Sequence, residues 1–141
     1  MTERQVDASI KTPSRIVGWA LTALVALVMI LGGVAHLASP EAFAPLVPPW
    51  LPAYPVLVAA AVVQIVIGAA VLWPGTRALA GLAFAALCLG YLPLHLWDYI
   101  RTDPVFAPPV AATIRVVVQL LFIWAGVTLW RRGRSSTGCM L

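Results

Sequence analysis

Four apolar stretches, each close to twenty residues long, take up most of this chain, and they restrict its fold more than any motif does. They run over about 16–37, 56–73, 78–100 and 112–130. About 20 apolar residues are needed to cross the hydrocarbon core of a bilayer. Of the 141 residues, 62% are hydrophobic and 10% are charged, against about 25% charged in an ordinary soluble domain. So thin a polar coat points to lipid rather than water as the solvent. A segment in lipid must satisfy its own backbone hydrogen bonds, so each stretch is expected to be a helix. The expectation is all-α: a bundle of four transmembrane helices over 16–130, with an N-terminal tail at 1–15 and a basic C-terminal tail at 131–141.

The first stretch follows Arg4, Lys11 and Arg15, as a signal peptide would follow its basic region. Its apolar run exceeds the 7–15 residues of a signal core, so it reads as a retained helix. The net charge of +4 is not gathered into a patch, and no aromatic-interleaved basic stripe suggests nucleic acid. The basic residues sit at segment ends instead: Arg4, Lys11 and Arg15, then Arg77 in a PGTR turn, then Arg131, Arg132 and Arg134. The other two connectors offer Arg101, with Arg115 just inside the fourth helix. The bias of Lys and Arg toward the cytoplasmic side then places both termini and the PGTR turn in the cytoplasm, with 38–55 and 101–111 outside. Trp50, Tyr54, Trp73, Trp97, Tyr99 and Trp130 fall near the predicted boundaries, where aromatic anchors belong.

Cys88 and Cys139 form no CxxC. Cys88 reads as a small core residue, and Cys139 stands one place too late for a prenylation box. Gly32, Gly33, Ala60, Gly68, Gly81, Ala85 and Ala86 offer the small faces through which helices approach in lipid. Pro93 removes a backbone donor within the third helix and frees the carbonyl of Leu89, so a kink is expected there.

The ionisable and amide side chains within the stretches are few and concentrate toward one end of the bundle. His36 closes the first helix, and Gln64 lies about eight residues into the second. His95 and Asp98 are one turn apart at the end of the third. Arg115 and Gln119 are one turn apart near the start of the fourth. Residues three or four apart share a helix face, and charged groups at membrane depth turn inward and pair. Asp98 and Arg115 are the natural partners, and the six residues together suggest a polar pocket on the outer side. The connector after His36 carries five prolines between 32 and 52 and one charge, Glu41. Its Pro48, Pro49 and Trp50 suit a stiff lid lying on the membrane surface. Simpler roles stay open: a structural ion pair for Asp98 and Arg115, a helix cap for His36, and interhelical contacts for Gln64 and Gln119. Two histidines at similar depth could also ligate haem, but no third ligand has metal-site spacing, so no metal is expected and haem is disfavoured.

Three segments carry a family resemblance. "GGVAHLASPEAFAPLVPPWLP", "VVQIVIGAAVLWPGTRALAGLAFA" and "IRVVVQLLFIWAGVTLW" resemble the DoxX family of small four-helix membrane proteins, over about 16–130. The chain departs from that pattern at Gln64, where relatives often have Glu, and at "YLPLHLW", where they often read F-P-A-N. The resemblance implies a multi-pass protein of the bacterial inner membrane, acting as a subunit or accessory of a redox system, some of it quinone-linked. The outer pocket would then receive a quinone or a similar amphipathic molecule. The chain has no thiol pair, flavin motif or nucleotide loop, so electrons would pass through a soluble partner protein. A binding or transport protein for lipid or a small solute, and a membrane anchor for a soluble partner, are the alternatives. Whether the chain is an enzyme and whether it forms a homo-oligomer stay open.

Overall fold

The computed structural model describes residues 3–137, with side chains over 15–134. Cys139 and the side chains of Arg4 and Lys11 lie outside the described residues. The chain forms α1 (Glu3–Ala38), a single-turn α2 (Pro40–Phe43), α3 (Ala53–Ala70), α4 (Arg77–Trp97) and α5 (Val110–Thr137), with a 3₁₀ turn at Ala44–Leu46. Four of these hold stretches long and apolar enough to cross a membrane: Arg15–Ala38, Ala53–Ala70, Arg77–Trp97 and Val110–Arg134. The architecture is an all-helical bundle with four membrane-spanning helices. The helical backbone of α1 and α5 extends beyond the apolar limits at 16 and 130. α4 is helical through Pro93.

Two helix pairs build the bundle. α1 packs along α3 and α4 along α5, while contacts between the pairs are sparser. Glycines permit both close approaches. A Cβ on Gly33 would fall 2.8 Å from the Ala61 carbonyl oxygen, and one on Gly68 would fall 2.7 Å from Ile30 Cγ1. Gly81 and Gly126 face each other across the second pair, where a Cβ on Gly126 would meet the Gly81 oxygen at 2.6 Å. Lipid supplies little hydrophobic drive for association, so such backbone contact supplies the dispersion energy instead. Gly81, Gly33 and Gly68 were legible as small faces; Gly126 completes the seam.

Between the pairs, one half of the bundle is filled. Leu21, Val25 and Met29 of α1 meet Ile67 and Val71, Phe84 and Cys88, and Ala125 and Leu129 in a continuous core. Phe84 and Phe122 lie 5.8 Å apart. The outward faces carry exposed large apolar side chains along each of the four long helices, as lipid-facing surfaces should.

The PGTR turn shows how a short motif closes this end. The last carbonyls of α3 have no helical donor left. Thr76 Oγ1 donates to the Ala70 carbonyl at 2.6 Å. Arg77 donates to the Val71 carbonyl at 3.2 Å and to that of Leu72 at 3.3 Å. The same guanidinium sits 4.8 Å from the Trp19 ring, tying the turn to α1. A Cβ on Gly18 would lie 3.9 Å from Arg132, and one on Gly133 would touch Ala78. The start of the apolar part of α1, the start of α4 and the end of α5 therefore share one end of the bundle. The two longer connectors close the other.

Candidate functional site

The half of the bundle nearest those connectors is hollow. A cavity of about 370 Å³ lies between the helix pairs, with all four long helices contributing to its wall. His36 comes from α1, Gln64 from α3, His95 from α4, and Arg115 and Gln119 from α5. Five of the six polar residues expected from sequence therefore line one cavity. The rest of the lining is mostly apolar and aromatic, including Phe43, Tyr91, Phe106 and Phe122. A volume of this size falls in the range of small-molecule sites, which combine an apolar wall with a few placed polar groups.

Asp98, the sixth residue, stands behind that wall. It is 2% exposed and borders a separate recess of about 20 Å³ with Pro48, Pro49 and Trp97. Its carboxylate is taken up by its own neighbours. Arg115 donates to Oδ2 at 2.9 Å, the Val105 backbone N–H donates to Oδ1 at 3.2 Å, and Arg101 lies 3.7 Å away. Arg101 also donates to the Pro45 carbonyl at 3.1 Å. One buried charge thus joins α4, α5 and both connectors, which matches the structural ion-pair reading of Asp98 and Arg115. Arg115 additionally stacks 4.4 Å from the Phe106 ring.

The lid differs in detail from the expected one. Phe43, Leu46 and Val47 reach the cavity, with Phe106 from the other connector. Pro48 and Pro49 border the small recess. Trp50 is exposed and packs edge-on to Trp97 with centroids 4.8 Å apart. Phe43 meets the His36 ring edge-on at 4.6 Å, so His36 is held by the lid rather than by a hydrogen bond of its Nδ1.

The polar wall is incompletely satisfied. Among the described residues, the buried side-chain nitrogen and oxygen atoms without a partner are His36 Nδ1, Gln64 Oε1 and His95 Nδ1. All three belong to cavity-lining residues. An unpaired buried polar group costs about 1–3 kcal/mol, so three on one cavity are not explained by packing. Gln119 is different: its Nε2 donates to the Cys88 carbonyl, one residue before the Leu89 carbonyl that Pro93 cannot serve. Gln119 therefore acts at least partly as the interhelical contact considered from sequence. Gln64 does so only at one end, where Nε2 donates to the Tyr91 hydroxyl at 3.3 Å. Tyr91 was missed in the sequence, although Cys88, Tyr91 and His95 follow helical spacing along one face. Phe106 and Val105 carried no sequence signal at all, because a loop has no period from which to infer direction. Among the described residues, no three His, Cys, Asp or Glu side chains lie together as a metal-ligand group.

Compared with known proteins, residues 24–129 match a family model described as Domain of unknown function (DUF8561). No curated protein matches the chain, and no solved structure does.

Proposed function

The chain belongs to the DUF8561 family, and we propose that it is a multi-pass membrane protein whose cavity binds a small amphipathic molecule on behalf of a redox system. One observation carries the binding reading: the unpartnered buried polar atoms of three helices belong to residues of a single, mostly apolar cavity. A ligand with an apolar body and a polar head would occupy the volume and pair those atoms together. The two histidines would exchange protons with such a head group, because a neutral imidazole both donates and accepts.

The redox assignment and the quinone-like class rest on the resemblance to DoxX proteins, as does a location in the bacterial inner membrane. That kinship is part of the proposal and rests on the segments around His36, the PGTR turn and Arg115. Electrons would come from or go to a soluble partner, since the sequence carries no thiol pair, flavin motif or nucleotide loop. The basic end of the bundle faces the cytoplasm in this reading and the cavity opens outward. The same cavity would equally serve a binding protein for a lipid or small solute without redox chemistry.

The test is mass spectrometry of small molecules extracted from the purified protein, beside a folded Ala60→Phe variant that fills the cavity. Enrichment of one quinone or quinol species, lost in the variant, is the expected result. A single non-redox lipid lost in the variant would move the function to the second reading. Only bulk lipid in both proteins would overturn ligand binding.

A further inference from the structure

Gln64 is 4% exposed and sits near the middle of α3, about 17 Å from its start at 1.5 Å per residue. Its carboxamide spans two unlike environments. One end donates to Tyr91. The other end, Oε1, has no partner and lies over the bare backbone of Gly32, where a Cβ would approach it to 2.9 Å. Gly32, Gln64 and Tyr91 all line the cavity. A carboxamide oxygen only accepts, whereas a phenol that has accepted from Gln64 still has its own proton to donate. The two cavity-lining residues therefore offer one free acceptor and one free donor proton.

We infer that the ligand of this cavity is a neutral molecule bearing a hydroxyl group, seated with that hydroxyl between Gln64 Oε1 and the Tyr91 hydroxyl. A hydroxyl donates one hydrogen bond and accepts others, so it completes both groups at once. A carbonyl, ether or ester would leave Oε1 unpaired. A carboxylate would face the same acceptor with its negative charge, and the one guanidinium on the wall is already engaged by Asp98 at 2.9 Å and covered by Phe106. The inference rests on the binding reading above and narrows it to alcohols, phenols and, for a redox pair of carbonyl and hydroxyl forms, the reduced member.

The experiment compares three probes with one apolar body: 4-octylphenol, its methyl ether 4-octylanisole, and 4-octylbenzoate. Binding to the full-length protein in detergent is measured by equilibrium dialysis. The phenol is expected to bind at least about tenfold more tightly than the ether, the order of effect left by one unpaired buried acceptor. Gln64→Leu is expected to abolish that preference while retaining both apolar probes, and Tyr91→Phe to reduce it. Equal binding of phenol and ether to the wild type, with both lost in Ala60→Phe, would overturn the hydroxyl inference and leave the cavity a binding site. Preference for the benzoate would overturn it likewise. No binding of any probe would count against the inference and the binding reading together. The wild-type comparison decides even if a variant fails to fold.

Discussion

Arg115 donates to the Asp98 carboxylate at 2.9 Å across the seam between α4 and α5, and the same carboxylate receives the Val105 N–H from the connector that covers the cavity. A single buried anion is thereby shared between helix packing and lid closure. Removing one partner of a buried pair leaves the other uncompensated. We expect Asp98→Asn to destabilise the protein by about 3 kcal/mol, and the double variant Asp98→Asn, Arg115→Gln to lose less than the sum of the singles. Reversible unfolding in mixed micelles measures both. Limited proteolysis of the 98–109 connector should accelerate in Asp98→Asn, and an unchanged cleavage rate would remove the lid role.

The facing glycines of the second helix pair make a contrasting prediction. Gly126→Ala places a Cβ 2.6 Å from a backbone oxygen that cannot rotate away, so α4 and α5 must separate. Overpacking of this kind costs about 1–3 kcal/mol. Gly90→Ala meets no atom within 4 Å and should be neutral or stabilising by up to about 1 kcal/mol, since alanine favours the helix. Thermal unfolding of the two variants side by side checks the sign of each.

Gly32 should behave unlike Gly126, although both lie where a Cβ is crowded. The atom it would meet is the end of the Gln64 side chain, which can swing aside. Gly32→Ala is therefore expected to change stability by less than about 1 kcal/mol, the range of tolerated shape changes. It should nonetheless lose the preference for 4-octylphenol over its methyl ether. Loss of stability without loss of preference would place Gly32 in the packing and not in the site.

The orientation proposed from charge can be tested directly. Arg15, Arg77 and the Arg131, Arg132 and Arg134 cluster gather at one end of the bundle, while the other end has Arg101 beside Asp98 and Arg115. The positive-inside bias predicts that a cysteine placed at Asp103 reacts with a membrane-impermeant maleimide from outside intact cells. One placed at Gly75 should react only after the membrane is opened. The reverse pattern would invert the protein and turn the cavity toward the cytoplasm.

The number and approximate limits of the spanning helices are legible in the sequence, because apolar length against bilayer thickness needs no knowledge of neighbours. Depth along a helix is counted in residues, so the sequence also brings His36, Gln64, His95, Asp98, Arg115 and Gln119 toward one end of the bundle. How those residues divide is set by the packing of the helices and connectors. Rotation about each helix axis and the course of the connectors set which side chain faces the cavity, and neither is written in apolar length. Asp98 and His95 are three residues apart, yet Asp98 is drawn behind the wall by Arg101, Val105 and Arg115 while His95 lines it. Tyr91 and Phe106 enter the site for the same reason: the two helix pairs seal tightly through their glycines, and the space left between the pairs takes whatever side chains then point inward.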